Sequence, residues 1–348
     1  MIELKADKLV FSCPDVHASA ALSISFQRTL RIPDDENDYP LPPGLGEFPL
    51  RHIDDHADRV PASWIEHGGV MLPMYQSEAM WLYFDSKYDV ERHVDYPFAI
   101  KIATGKINAV SGKEWKQGLH RKPTQDYVVV PGQPWLDGYC VEKGIIRQFV
   151  AMPLGAGYTA EEQITGKAEH GGLQIMAIPM KREVYEKRFP KREPARFSIG
   201  RMPHFSMSDS CAEYGEMGLA PGGRMKQDIY EDEFDLADWD LEQASRCFVH
   251  IANSMVWHQI TGTKPPTTPP TAKEYTAAGL PWFMWYDDKR AGLKGSKVLG
   301  SLKSIATLGR HKKDVPLPEN TTVKPQNVIP LRQGLNKNQV REFEEVGQ

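Results

Sequence analysis

Two histidines and a carboxylate in residues 51–59, RHIDDHADR, have the residue types of a metal site. If this segment is helical, His52 and His56 lie one turn apart on the same face, with Asp55 beside them. Imidazole and carboxylate ligands in that arrangement suit zinc or a similar divalent ion. The segment therefore indicates one possible function, a metal-assisted hydrolase.

The order His-x-x-Asp-His resembles the H-x-x-E-H pattern of inverted zinc proteases, with Asp in the Glu position. The side chain of Asp is one methylene shorter than that of Glu, so Asp is less suited to act as the general base. The segment is also polar nearly throughout and flanked by Pro49 and Pro61, as a solvated loop or short helix would be. His170 is a third candidate ligand, because two following glycines let the backbone approach a ligand closely, although they equally mark a bend.

A glycine-rich stretch, Gly155-x-Gly157-x-x-Ala160, fits the dinucleotide fingerprint G-x-G-x-x-G/A. The capping box Thr159-x-x-Glu162 predicts a helix start, but Gly166 allows that helix only about two turns. The acidic residue expected about 20 positions later is missing, since residues 174–181 read QIMAIPMK. We therefore interpret the stretch as a strand-to-helix turn that binds no nucleotide.

Composition argues against several classes of partner. The net charge of −4 provides no bulk attraction to nucleic acid or anionic membrane. No apolar run approaches the roughly 18 residues of a membrane span, and the N-terminal residues lack a signal-peptide core. The four cysteines are scattered, which favours buried thiols in a reducing compartment. These features predict a cytoplasmic protein that binds neither nucleic acid nor membrane and carries no cofactor, unless a divalent metal such as zinc is bound.

Strand-like patterns dominate the first 260 residues. Residues 21–32 alternate apolar and polar side chains, which predicts one buried face and one wet face. Lys143-Gly144 predicts a tight hairpin. Short helices are expected at 159–165, 182–189, 253–260, 272–278 and 297–308. Strands are expected at 8–12, 79–84, 98–103, 107–110, 127–130, 139–142, 145–151, 173–178, 226–230 and 246–251.

Short turns between successive strands favour antiparallel pairing. We therefore predict a β-dominated α+β fold, in which residues 1–261 form an antiparallel β-sandwich or a curled, barrel-like body. Residues 262–348 are rich in Thr and Pro and are expected to form an extended C-terminal arm that wraps the body or a neighbouring chain. An aromatic cluster in the arm would lie at that interface: Trp282, Phe283, Trp285 and Tyr286.

Two charged segments favour protein contacts as well. Residues 228–242 carry eight acids, and residues 289–313 carry eight Lys or Arg, so the two are expected to lie near each other. The leading functional hypothesis is a non-catalytic binding or assembly protein that associates with itself or with another protein. The alternative is the metal-assisted hydrolase.

Replacing both His52 and His56 by alanine distinguishes these hypotheses. Without a bound metal, the free energy of unfolding should change by less than about 0.5 kcal/mol, as is usual at exposed positions. A metal site would instead lose its ion and part of its folding stability. Urea unfolding and elemental analysis of untagged protein measure both effects, and a large loss of stability together with metal loss would favour the hydrolase.

Overall fold

Strands make up most of the regular structure of the protein. The structure is a computed structural model, and it describes residues 1–191, 216–285 and 290–331. Strand accounts for 37% and helix for 19%, so the predicted β-dominated fold is confirmed. The strands described form one sheet of 17 strands and two sheets of two strands. Among the residues described, no helix has both the length and the apolar character needed to cross a membrane.

The structure describes 21 strands, of which 19 precede residue 254. In chain order they are β1 (Ile2–Lys5), β2 (Lys8–Ser12), β3 (Ala21–Thr29), β4 (Asp38–Tyr39), β5 (Gly44–Glu47), β6 (Arg51–His52), β7 (Val70–Met74), β8 (Ala79–Ser86), β9 (Tyr88–Asp89), β10 (Val94–Asp95), β11 (Phe98–Thr104), β12 (Ile107–Asn108), β13 (Val128–Val130), β14 (Trp135–Leu136), β15 (Gly138–Glu142), β16 (Ile145–Pro153), β17 (Leu173–Pro179), β18 (Glu216–Lys226), β19 (Ser245–Asn253), β20 (Trp282–Trp285) and β21 (Val328–Leu331).

A continuous series of antiparallel pairs forms the centre of the large sheet. Its order is β1–β2–β3–β8–β16–β18–β19–β17–β11–β13. The hairpin predicted at Lys143-Gly144 joins β15 to β16, and Gly144 has a positive φ of 72°. Two strands attach in parallel, β4 to β18 and β7 to β19. The predicted antiparallel organisation is therefore confirmed.

The helices are short and lie between strands or in the C-terminal region. They are α1 (Ala62–His67), α2 (Ala160–Thr165), α3 (Arg182–Arg188), α4 (Ser254–Thr261), α5 (Ala272–Ala277), α6 (Lys297–Gly300) and α7 (Ile305–Lys312), with 3₁₀ turns at Asp54–His56, Leu236–Asp238, Leu241–Gln243 and Pro318–Asn320.

Several predicted boundaries were wrong. The helix expected at 297–308 is divided into α6 and α7, because Ser304 caps a new helix start. The strand expected at 226–230 begins where β18 ends. Sequence patterns missed β7 and β18, whose interiors contain Pro73 and the run Pro221-Gly-Gly223, residues that usually interrupt strands.

The glycine-rich stretch connects β16 to α2 in a wholly antiparallel setting. β16 pairs with β15, β18 and β8, while the next strand, β17, pairs with β11 and β19. Glu162 completes the capping box with Thr159 and also accepts a hydrogen bond from the Gly157 N–H, at 2.7 Å. Gly157 has φ of 75°, a conformation that favours glycine. The stretch is a strand-to-helix turn, without the parallel crossover of a dinucleotide fold.

β3 departs from the expected pattern of one wet face. Its second half is buried on both faces, including the polar residues Ser25, Gln27, Arg28 and Thr29. Arg28 forms an ion pair with the buried Glu78, with Nη2 and Oε1 2.7 Å apart. The same guanidinium donates to the carbonyl of Thr267, so the Pro-rich segment covers this face of the strand.

The C-terminal region contributes to the main hydrophobic core. Trp282 is 1% exposed and packs between Tyr39 and Tyr275, with ring centroids 6.2 and 6.3 Å away. The adjacent Phe283 exchanges two backbone hydrogen bonds with Leu41 of the body, of 2.8 and 2.9 Å. Other core residues from this region are Ala272, Leu293, Leu299, Leu302 and Val323.

Among the described residues, the acidic and basic segments meet between residues 229–233 and 290–293, where Arg290 Nε also lies 3.9 Å from Glu233 Oε1. Glu231 N–H donates to the Ala291 carbonyl, and Leu293 N–H donates to the Ile229 carbonyl, at 2.8 and 2.7 Å. Within the acidic segment, the side chain of Asp232 is buried and accepts hydrogen bonds from Tyr127 Oη, at 2.6 Å, and from Trp239 Nε1, at 3.0 Å.

Replacing Trp282 by alanine should destabilise the protein by about 3–5 kcal/mol, because the substitution leaves a large cavity among packed aromatic rings. Leu280→Ala is the matched control: Leu280 is 45% exposed two residues away, and its loss should cost less than about 0.5 kcal/mol. Urea unfolding monitored by circular dichroism measures both. Equal, small effects would show that the arm adds little to the stability of the body.

Candidate functional site

An aromatic pocket of about 290 Å³ lies where the body meets the C-terminal arm. We define the aromatic pocket by its lining, and among the described lining residues Asp137 is the one with a titratable side chain. The lining residues are Leu41, Pro42, Pro43, Gly44, Trp81, Trp135, Asp137 and Phe283.

Two neighbouring strands position the tryptophans. Along β8 the side chains alternate, so Trp81 and Tyr83 face outward while Leu82 is buried in the core. β14 pairs antiparallel with β8, which places Trp135 opposite Tyr83. Trp81 and Tyr83 also meet edge to face, with centroids 6.0 Å apart. The tryptophans are thus held by a packed sheet rather than by a mobile loop.

The remaining walls come from a loop and from the arm. Thr29 Oγ1 donates to the Pro43 carbonyl at 2.8 Å, which fixes the loop between β4 and β5. A Cβ built at Gly44 would lie 3.8 Å from Trp81 Cζ2, so this loop lies against the indole. Phe283 of the arm also lines the pocket and is held by its backbone pairing with Leu41.

Asp137 is 5% exposed and connects β14 to β15. Its backbone N–H donates to Gln227 Oε1, and its carbonyl accepts from the Phe149 N–H, both at 3.0 Å. The next residue must be small, because a Cβ at Gly138 would lie 2.0 Å from the Arg147 carbonyl oxygen. The backbone of Asp137 is therefore held on both sides.

The Asp137 carboxyl group has an unusual electrostatic environment. Burial raises its pKa to about 7, and hydrogen bonds from the side chains of Trp135 and Gln227 only partly oppose this effect. Oδ2 is buried and has no hydrogen-bond partner among the residues described. Such atoms are uncommon in native proteins and often mark functional positions.

A second cleft, of about 420 Å³, shares Trp135 with the aromatic pocket. Asp85, Asp95 and Arg290 also line it. Burial and the nearby Asp85 both raise the pKa of Asp95, so the two carboxylates repel each other. With two acidic side chains and one basic side chain, this cleft has a negative formal charge.

The residues predicted to bind a metal do not share a helix. His52 lies on β6 and pairs with Val70, whereas Asp55 and His56 lie in a 3₁₀ turn. Burial of Ile53 accounts for this difference, because its side chain packs in a small core with Trp257 and neighbouring residues. Within residues 1–191, 216–285 and 290–331, no group of three or more His, Cys, Asp or Glu side chains could hold a metal ion.

His170 lies in a loop that binds a carboxylate of the same chain. Glu161 is 2% exposed, and its carboxylate accepts backbone N–H bonds from Glu169, His170 and Gly171, of 3.1, 2.9 and 2.9 Å. The two glycines after His170 have positive φ angles, which the tight loop requires. The glycines thus allow a loop that binds Glu161.

The imidazole of His170 faces other rings. Its centroid is 6.0 Å from that of His67, which in turn is 6.3 Å from that of His250. Burial lowers the pKa of His170, and it lowers the pKa of His250 to about 4. His250 Nε2 already contacts the Gly68 carbonyl at 3.0 Å. The pKa shifts favour neutral rings for both.

The predicted interface residues have different environments. Trp282 is buried in its own chain, and Phe283 is partly buried and lines the aromatic pocket. The backbone of Trp285 pairs with Leu331 in the small parallel sheet of β20 and β21. Tyr286 lies outside the described residues.

The described cysteines agree with the expectation of buried thiols. Cys13, Cys140 and Cys247 are free and buried, and Cys211 lies outside the described residues. Burial raises the pKa of Cys140 to about 12 and that of Cys247 to about 11. These three thiols therefore stay protonated at neutral pH.

Sequence reasoning did not identify Asp137. The surrounding residues PWLDGYC match no catalytic or ligand-binding motif, although Asp-Gly between apolar residues marks a turn. The aromatic residues of the pocket come from three distant parts of the chain. Only their positions in the sheet, together with the docked arm, bring them to one acidic residue.

The raised pKa of Asp137 predicts a measurable dependence of stability on pH. The folded state holds a proton that the unfolded chain releases near pH 4, so the protonated carboxyl favours folding at low pH. This contribution should decline by up to about 1.4 kcal/mol per pH unit between about pH 4 and 7, and then level off. Urea unfolding across this range measures the slope.

Asp137→Asn should reduce that slope, because asparagine cannot ionise. Asp58→Asn is the control: Asp58 has a 73% exposed side chain, and its removal should leave the slope unchanged. An identical slope in the wild-type protein and the Asp137→Asn variant would show that Asp137 ionises normally.

Comparison with known proteins gives no match of any kind: no family model, no curated protein and no solved structure is significantly similar to this chain.

Proposed function

We propose that this chain is a non-catalytic binding protein and that the aromatic pocket is its ligand site. The observation that carries the proposal is a concave lining of two tryptophans, one phenylalanine and two prolines, with Asp137 as a further lining residue whose Oδ2 is buried. Ligand sites are typically concave and apolar with a few convergent polar groups, and the aromatic pocket has that composition.

Binding suits the pocket better than catalysis. General acid–base reactions and covalent catalysis usually need a second group, such as a base, a nucleophile or another carboxylate. The part of the pocket lining that the structure describes offers one carboxyl group together with aromatic, leucine and proline side chains. A single polar group in an apolar pocket can orient a ligand without transforming it.

Placement of the aromatic residues favours binding over self-assembly. Trp282 is covered by Tyr39 and Tyr275 of the same chain, so it needs no neighbouring copy to remove it from water. Phe283, in contrast, is partly open and belongs to the pocket. No specific observation favours the metal-assisted hydrolase as a second candidate function.

Fluorine NMR of protein containing 5-fluorotryptophan tests the proposal. The probe is a fragment set of ammonium compounds, sugars, neutral aromatics and a proline-rich peptide, with signals assigned by single Trp→Phe substitutions. We expect one class to shift the Trp81 and Trp135 signals saturably and to be recovered chemically unchanged. The signal of Trp257, fully buried in a separate core, is the internal control.

Two outcomes would reject the proposal. In one, no fragment class moves the signals of Trp81 and Trp135. In the other, a fragment moves them only together with Trp257, which indicates a general change in structure. Conversion of the bound fragment to another compound would contradict the non-catalytic part of the proposal.

A further inference from the structure

We infer that the aromatic pocket selects an organic cation with a methylated ammonium group, and that the C-terminal arm completes the site through Phe283. This inference rests on the proposed function, since it specifies the ligand class of the same pocket.

The ring composition of the pocket favours a cation. A positive charge within about 6 Å of an aromatic face is attracted by the electrons of the ring, and indole gives the strongest attraction. The aromatic pocket offers two indoles and one phenyl ring in its lining. Its other side chains include two prolines, which have no N–H donor to attract an anion.

The carboxyl group of Asp137 provides the opposite charge. A buried carboxylate without a charged partner is costly, and a cation in the pocket would relieve that cost. A neutral ligand would leave the carboxylate uncompensated, and an anion would be repelled. The hydrogen-bond partners of the carboxyl group, Trp135 and Gln227, are uncharged, so neither compensates the negative charge of the carboxylate.

A methylated ammonium group fits the pocket because the pocket has few hydrogen-bond acceptors. A primary ammonium carries three N–H donors, and a guanidinium carries five. Oδ2 of Asp137 has almost no surface accessible to water, and no other described residue of the pocket lining has a side-chain acceptor. A bare ammonium would therefore keep unsatisfied donors, whereas a trimethylammonium group has none and places methyl groups against the rings.

Size and surrounding charge agree with this ligand class. A volume of about 290 Å³ is near the lower limit of roughly 300–1,000 Å³ for small-molecule sites, so the pocket suits a head group rather than a large ligand. The described lining of the adjoining cleft carries Asp85 and Asp95 and one basic residue, Arg290, a balance that favours the approach of a cation.

The arm takes part because Phe283 is one wall of the pocket. Its backbone pairs with Leu41, itself a lining residue, so withdrawal of the arm would disrupt two parts of the site at once. A cation bound against Phe283 should therefore stabilise the docked arm.

Isothermal titration calorimetry with choline tests the inference in the full chain. The matched probe is 3,3-dimethylbutan-1-ol, which has the same shape as choline but carries no charge. We expect choline to bind saturably and the alcohol to bind at least tenfold more weakly. Equal affinities, or no saturable binding of choline at about 1 mM, would overturn the inference.

Three variants assign the contributions of individual residues. Trp81→Leu should weaken choline binding roughly 2- to 30-fold, the range expected for one cation–π contact. Asp137→Asn should weaken it at least tenfold, and Phe283→Ala should weaken it measurably. Asp58→Asn removes the same charge at an exposed position and should leave affinity unchanged. Choline affinity that is unchanged by Asp137→Asn in a folded protein would contradict the role of the carboxylate.

A peptide containing trimethyllysine tests whether the trimethylammonium group belongs to a modified protein or to a free metabolite. Binding of the peptide with affinity at or above that of choline would assign the site to a modified protein, and preference for choline would assign it to a free metabolite. Either result supports the ligand class. If fluorotryptophan signals respond to a neutral fragment while choline does not bind, the cation inference fails and the proposed binding function stands.

Discussion

The buried ion pair between Arg28 and Glu78 connects β3, the start of β8 and the Pro-rich segment, and the position of the arm depends on it. Both side chains are almost entirely removed from water, and Glu78 also accepts a hydrogen bond from the Tyr75 N–H at 2.9 Å. Burial raises the pKa of Glu78, while the guanidinium opposes that shift. Breaking such a pair typically costs 3–5 kcal/mol, because it leaves one buried charge uncompensated. The pair thereby fixes the start of β8 against β3.

The same guanidinium binds the Thr267 carbonyl, and the hydroxyl of Tyr75 binds the Pro266 carbonyl at 2.9 Å. The Pro-rich segment has few internal hydrogen bonds, so these contacts determine where the arm begins its path over the body. Its aromatic residues then reach the loop before β5, and Phe283 completes the aromatic pocket. The proposed ligand site thus depends on a distant ion pair, through the covalent continuity of the arm.

Local signals in the sequence predicted local structure well. β2 has the predicted bounds, Lys8–Ser12, and the capping box at Thr159 starts the predicted helix. The metal-site hypothesis assumed a helix at residues 51–59, but burial of Ile53 and pairing with β7 favour a strand and a 3₁₀ turn. Asp137 could not be identified because its burial and its aromatic neighbours arise from contacts between segments far apart in sequence. No spacing rule encodes them.

The carboxylate of Glu161 occupies the backbone N–H groups of the loop that contains His170, Gly171 and Gly172. Three convergent N–H groups would ordinarily form a receptor for phosphate or another oxyanion. Here the oxyanion is tethered to the chain only eight to ten residues away, so its effective concentration at the loop is in the millimolar range or higher. A free anion would have to outcompete this built-in ligand and leave a carboxylate stranded in the interior. The three N–H groups are therefore already occupied by a carboxylate of the chain itself.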